Sequence, residues 1–224
     1  MLDGRFRSSL ESGLRPVGLN LRKAGIKADH LTIIGVLMSA ATAVAIANGA
    51  LRGALLLLVL TGIPDMLDGA IAKASGTAGP RGAFFDSVAD RVSDALLMGG
   101  VSWYLASEYG GHIAVLPLAV LGATMLISYE RAKAEALGFD AKGGLMERGE
   151  RFVVLGFGLL FDSLLVPVLW VMLALTLITA VQRFVKVWRQ ASNPPAEPII
   201  RRRSPRRATR RTERTWRMRV RSRD

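Results

Sequence analysis

The sequence contains no cysteine, which excludes disulfides and thiol chemistry. Histidine is almost as scarce: His30 and His112 are the only two, and both read as interfacial residues rather than ligands. Acidic residues are few as well, 18 against 30 Lys and Arg, giving a formal net charge of +12. So basic a chain is nonetheless greasy, with half its residues hydrophobic and a mean hydropathy of +0.31. Those facts agree because the apolar and basic residues are segregated along the chain. Six long apolar runs can be marked, at Leu31–Asn48, Leu51–Ile71, Ala83–Ala106, Ile113–Ala132, Phe152–Leu165 and Val168–Val187. Most approach the ~20 residues that a helix needs to cross a bilayer core; the fifth does so only if it starts near Glu147. The runs lack the alternation of barrel strands. They also lack polar stripes at helical period: Leu51–Leu60 has almost none after Arg52, which argues against a soluble bundle. The expected fold is therefore all-α and integral to a membrane, with six transmembrane helices.

Charge sets the expected orientation. Arg5, Arg7, Arg15, Arg22, Lys23 and Lys27 precede the first run, and Lys73 and Arg81 follow the second. Arg131, Lys133, Lys142, Arg148 and Arg151 lie between the fourth and fifth. The alternate connections hold only Arg52, then Glu108–His112, then Asp162. Positive charge marks the cytoplasmic side, so both termini are expected there. No cleavable signal peptide is expected, because the first thirty residues are polar and basic.

Three regions follow. Over residues 1–28, Phe6, Leu10, Leu14, Val17 and Leu21 recur at steps of three and four among basic residues, which suits an amphipathic helix in the membrane interface, bent or broken at Pro16. Residues 29–190 form the six-helix domain. Residues 191–224 begin with Asn193-Pro194-Pro195 and carry twelve arginines with little apolar content, the composition of a disordered tail. Beside a membrane such a tail favours anionic lipid headgroups over nucleic acid, the alternative being a solvated tail with no specific partner. No internal repeat and no soluble second domain are found.

The chemistry lies with acidic residues at the cytoplasmic ends of apolar runs: Asp65, Asp68, Asp86, Asp90, Asp94 and Glu130. A carboxylate at membrane depth costs roughly 2.5–3.5 kcal/mol even on the mildest insertion scale. Asp65 and Asp68 are three apart, and Asp86 and Asp90 four apart, so each pair shares a helix face. The short connection makes the two helices antiparallel neighbours whose pairs can converge. Four carboxylates in one small volume call for cations, and an oxygen-only set suits Mg2+ or Mn2+ ahead of Ca2+. Two ions would suit displacement at phosphorus. Gly69, Gly76, Gly79 and Gly82 allow close approach of a ligand to the backbone, and Lys73 offers positive charge to a diphosphate. Asp94 continues the Asp86–Asp90 face, as a supporting partner or as an ion-pair acceptor for Arg91 or Arg151.

The stretch Asp65-x2-Asp68-Gly69-x2-Ala72-x9-Gly82-x3-Asp86-x3-Asp90 resembles the signature of the CDP-alcohol phosphotransferases. Seven of eight fixed positions match; at Lys73 the family usually has arginine, whose planar fork is lost. The resemblance implies that Asp65, Asp68, Asp86 and Asp90 hold two metal ions, with Asp90 also the general base. It implies that Gly69, Lys73 and Gly79 or Thr77 contact the CDP moiety. Asp29-His30-Leu31-Thr32 resembles the family's donor-binding stretch, and the donor implied is a CDP-activated lipid, CDP-diacylglycerol. A homodimer is a further family expectation, and small residues such as Gly99-Gly100 would support close helix packing.

The acceptor is approached through the basic residues on the same face. Arg131, Lys133, Arg148, Arg151 and Arg183 would attract an anionic acceptor, and one with its own phosphate would gain most from charge-assisted contacts. The segments around Ser128–Glu135 and Gly143–Arg151 resemble actinobacterial phosphatidylinositol phosphate synthases, which implies inositol phosphate as acceptor. The runner-up is a phosphatidylglycerophosphate synthase using glycerol 3-phosphate. A divalent-cation transporter is the rival from another class. It would place carboxylates near mid-membrane and at the opposite mouth, whereas these gather at one face.

Overall fold

The computed structural model describes residues 28–62 and 79–192. Among them all regular structure is helical. The helices are α1 (Ala28–Ala47), α2 (Leu51–Gly62), α3 (Pro80–Glu108), α4 (Val115–Ala136), α5 (Arg148–Leu160) and α6 (Leu165–Ser192). Short 3-10 turns at Gly111–Ala114 and Asp162–Leu164 lead into α4 and α6. Each of the six apolar runs thus contains a helix. The expected interfacial helix, Asp65, Asp68, Gly69, Lys73 and the arginine-rich tail beyond Ser192 lie outside the described residues.

Local chemistry explains the boundaries. α1 stops at Gly49, whose φ of +75° suits glycine; its N–H donates to Ile46 O and that of Ala50 to Ala45 O, closing the helix with a tight turn. α3 begins at Pro80, which has no N–H to leave unsatisfied at a first helical position. It ends before Gly110 and Gly111, both at positive φ. Buried hydroxyls within the apolar helices donate back one turn: Ser39 to Gly35 O, Thr42 to Met38 O, Thr61 to Leu57 O and Thr179 to Leu175 O.

The core runs through Ile46, Leu58, Leu97, Val101, Leu105, Val120, Leu155, Leu159, Leu169 and Met172. α1 and α3 approach closely at Gly100, where a Cβ would lie 2.8 Å from Ala43 Cα. Gly100 therefore serves packing inside the protomer, while Gly99 faces open space. Outside this core the helices expose Leu37, Val44, Leu56, Val59, Leu118, Phe157, Trp170 and Val181. An apolar exterior around an apolar core is what a lipid solvent permits.

By length and composition, Asp29–Ala47, Gly111–Ala136 and Asp162–Ser192 can each cross a membrane. α3 is long enough at 29 residues but carries Asp86, Asp90, Arg91 and Asp94. The 13 residues of α5 rise only roughly 20 Å at 1.5 Å per residue, less than a bilayer core.

Candidate active site

The first half of α3 presents Asp86, Asp90 and Asp94 one turn apart on a single face. Asp86 and Asp90 line a cleft of about 270 Å3 with Ala89 and Ser93 of the same helix. α1 contributes Leu31, Thr32, Gly35 and Val36, α2 contributes Thr61, and α5 closes the cleft with Arg148. The side-chain donors here are oxygens, apart from the guanidinium of Arg148, and this fits a hard divalent cation. Asp86 and Asp90 are the described half of the expected carboxylate set; among the described residues no three metal-binding side chains gather.

Asp90 is held between two arginines. Arg148 Nη1 lies 2.7 Å from Oδ1, a short charge-assisted contact, and Arg91 Nη1 lies 3.6 Å from Oδ2. The Arg148 guanidinium also sits 5.1 Å from the centre of the Phe152 ring. One turn deeper, Arg151 Nη2 is 3.2 Å from Asp94 Oδ2, and both residues are buried. Arginines three apart at the start of α5 thus meet aspartates four apart on α3, which fastens the two helices beside the cleft.

α6 fixes the loop between α4 and α5. Thr179, Arg183, Lys186 and Gln190 form a polar strip at helical spacing. Met146 N–H donates to Thr179 Oγ1 at 3.1 Å. Arg183 donates from Nε to Gly143 O and from Nη1 to Ile127 O, at 3.1 and 2.8 Å, while Nη2 faces Glu147 at 3.5 Å. Lys186 Nζ lies 2.8 Å from Asp140 Oδ2, and Gln190 both donates to and accepts from the Asp140 backbone. The Lys186 hydrogen bond, helped by the Lys142 N–H, holds the Asp140 carboxyl below its usual range. At Gly144, φ is +151° and a Cβ would strike Thr179 Cγ2, so the loop passes against α6 with no room for a side chain.

The expected site residues are therefore distributed unevenly. Asp86, Asp90, Arg148 and Thr32 share the cleft, with Leu31 buried at its wall. Asp29 lies 3.7 Å from Arg81, with Arg81 exposed and Asp29 partly so, His30 is exposed, and Gly79 is the extended residue capping α3. Arg151 and Arg183 are buried and committed to protein partners. Arg131 pairs with Glu135 on the surface at 3.0 Å, and Lys133 is exposed nearby. Sequence reasoning missed Arg91 as a partner of Asp90, together with Thr61, Ser93 and Glu147 and most of the α6 strip. The 4-3-4 spacing from Thr179 to Gln190 was the available signal for the strip, and Ser93, three residues after Asp90, shared its face.

Residues 26–188 match the family model described as CDP-alcohol phosphatidyltransferase. The chain is 31% identical to the archaetidylinositol phosphate synthase of Methanothermobacter thermautotrophicus, over 83% of this chain and 94% of that relative. It is 34% identical to the phosphatidylinositol phosphate synthase of Corynebacterium glutamicum, covering 83% and 88% respectively. Among solved structures it is similar to the phosphatidylinositol phosphate synthase of Mycobacterium tuberculosis with CDP-DAG bound, with a TM-score of 0.73, 31% identity and coverage of 78% of this chain and 93% of that one. The same mycobacterial enzyme in complex with manganese and citrate gives a TM-score of 0.72 at 30% identity, covering 78% and 88%.

Proposed function

The chain belongs to the CDP-alcohol phosphatidyltransferase family, and we propose that it transfers the phosphatidyl group of CDP-diacylglycerol to a hydroxyl of inositol phosphate. The products are CMP and phosphatidylinositol phosphate. The chain is a membrane-embedded transferase of phospholipid biosynthesis, and the transporter reading gives way to the family assignment. The contact that carries the choice of acceptor is Arg148 Nη1 on Asp90 Oδ1 at 2.7 Å. A phosphate-seeking cation stands against the carboxylate assigned as base, so an acceptor with both a phosphate and a hydroxyl would engage both at once. The similarity to an archaetidylinositol phosphate synthase and to phosphatidylinositol phosphate synthases agrees with that acceptor.

In the reaction the acceptor oxygen bonds to the lipid-side phosphorus, and the bond from that phosphorus to the CMP oxygen breaks. Asp90 takes the hydroxyl proton as general base. Two Mg2+ ions, with Mn2+ as a substitute, held by Asp65, Asp68, Asp86 and Asp90 would offset the charge of the departing CMP. Gly69, Lys73 and Gly79 take the CDP moiety, and Asp29, His30, Leu31 and Thr32 border the donor. Arg148 binds the acceptor phosphate and draws it toward Asp90. Arg131 and Lys133 supply exposed positive charge at the mouth. Arg151 and Arg183 act on the same phosphate by their charge and by fixing α5 and its preceding loop.

In this reading six helices cross the cell membrane, with both termini and the active site cytoplasmic, as the segregation of basic residues suggests. α3 and α5 pair Asp90 with Arg148 and Asp94 with Arg151, so they run in the same sense, as third and fifth spans of such a bundle must. A homodimer is the expected assembly. The test is CMP release from CDP-diacylglycerol by purified protein with Mg2+, offering inositol phosphate, glycerol 3-phosphate, inositol and serine separately. Release is expected with inositol phosphate, and Asp90→Asn should lower it about 10²–10⁴-fold. Release with glycerol 3-phosphate alone would replace the acceptor and keep the chemistry.

A further inference from the structure

Glu130 is an acidic residue that the transfer step leaves without a task. It stands on α4 three residues after Ile127, whose carbonyl accepts Arg183 Nη1, and it is half-buried. Its Oε2 is shielded from solvent and has no hydrogen-bond partner among the described residues. Arg183 does not supply one, because its guanidinium is committed to Gly143, Ile127 and Glu147. Arg183 nonetheless lies within electrostatic range of Glu130, Glu147, Arg131 and Arg91. The carboxylate therefore sits within the group of charges assigned above to the acceptor phosphate.

Two costs attach to a carboxylate in that place. A buried acceptor atom without a donor forfeits the hydrogen bonds it had in water. An anion among phosphate-binding cations also repels the phosphate. A ligand that brings its own O–H donors beside its phosphate removes the first cost and outweighs the second. A carboxylate, which only accepts, is the group that recognises hydroxyls in this way.

We propose that Glu130 reads the hydroxyls of the acceptor, which makes it a specificity-determining residue for a polyol phosphate. The inference rests on the reading that a phosphate-bearing alcohol binds beside Arg148. With the phosphate on the guanidiniums and one hydroxyl attacking, inositol phosphate still has four hydroxyls to offer Glu130. Glycerol 3-phosphate has one. Sites built to bond a substrate hydroxyl discriminate strongly against ligands that lack it, because the site's own polar group is then left unpaired.

The experiment is a steady-state comparison of wild type, Glu130→Gln and Glu130→Ala with inositol phosphate and with glycerol 3-phosphate. For Glu130→Ala the KM for inositol phosphate should rise about tenfold or more. Glu130→Gln, which keeps an accepting oxygen, should show a smaller rise. The KM for CDP-diacylglycerol should stay put in both variants, which also reports that they fold. If the carboxylate serves only as a counter-charge, its removal relieves repulsion, and the KM for both phosphates falls; that result, or no change, overturns the proposal. Should the wild type use only glycerol 3-phosphate, the acceptor assignment fails by itself. The same variants then decide the role of Glu130, by a rise or a fall in the KM for that substrate. A wild type that uses neither phosphate overturns both.

Discussion

At the scale of single residues, the Asp94–Arg151 pair separates structure from chemistry. Both residues are buried, their charges 3.2 Å apart. Neither touches the cleft; what they do is hold the start of α5 against α3, so that Arg148 reaches Asp90. Removing one member of a buried pair strands the other. Asp94→Asn should therefore destabilise the protein by about 3–5 kcal/mol, whereas Asp94→Leu with Arg151→Met should be close to neutral. Thermal unfolding in detergent checks the pattern; equal losses in the single and double variants would show that the pair gives no mutual compensation. The helical spacing after Asp90 marked Asp94 as belonging to this face, with Arg91 and Arg151 as alternative partners. The fold assigned Arg151 to Asp94 and turned Arg91 to Asp90. The spacing within α3 could not decide this, because the second partner comes from another helix.

Among the elements, the α4–α5 loop shows how an irregular segment is made into a scaffold. Its glycines allow it to pass close to α6, and the polar strip of α6 takes up its backbone groups. The Asp140–Lys186 contact at the outer end is exposed and therefore weak and salt-sensitive. The sign of its pH dependence follows from the lowered pKa of Asp140. The contact is fully present above the ordinary carboxylate value of about 3.9 and is lost as pH falls through the lower folded value. Hydrogen-exchange protection of residues 138–147 should thus hold between pH 7 and pH 5, and should drop a few-fold in Asp140→Asn at pH 7. Loss of protection in the wild type already at pH 5 would contradict that assignment. The α6 strip was only partly visible in the sequence, which drew attention to Arg183. Gln182 is exposed, while Arg183 is buried; an α-helix turns about 100° between neighbours, so one adjacent residue faces the loop and the other does not.

At the scale of the molecule, the described helices expose many large apolar side chains, and most of the described charged residues gather toward the cleft and the α4–α5 loop. The absence of native cysteine makes the topology directly measurable. Lys142→Cys should react with a membrane-impermeant maleimide only from the cytoplasmic side, and Glu108→Cys only from the opposite side. Labelling of both from one face would mean that α4 does not cross, and would remove the six-span arrangement. Such a chain is also expected to lose activity when lipid or detergent is withdrawn, since Leu56, Phe157 and Trp170 would then meet water.

The linear sequence determined the helical membrane class, the positions of the described helices and the face of α3 that carries Asp86, Asp90 and Asp94. Those features depend on local composition and on helical period, which neighbours along the chain already contain. Only the tertiary structure decided which arginine meets which aspartate, that Gly100 is used against Ala43 rather than left for a partner, and that Arg183 is built into the loop. Such contacts join distant parts of the chain: Arg151 and Asp94 are 57 residues apart and Arg183 and Gly143 are 40 apart. They depend on where whole helices come to rest, and in lipid that is set by side-chain packing and by the need to pair every buried charge.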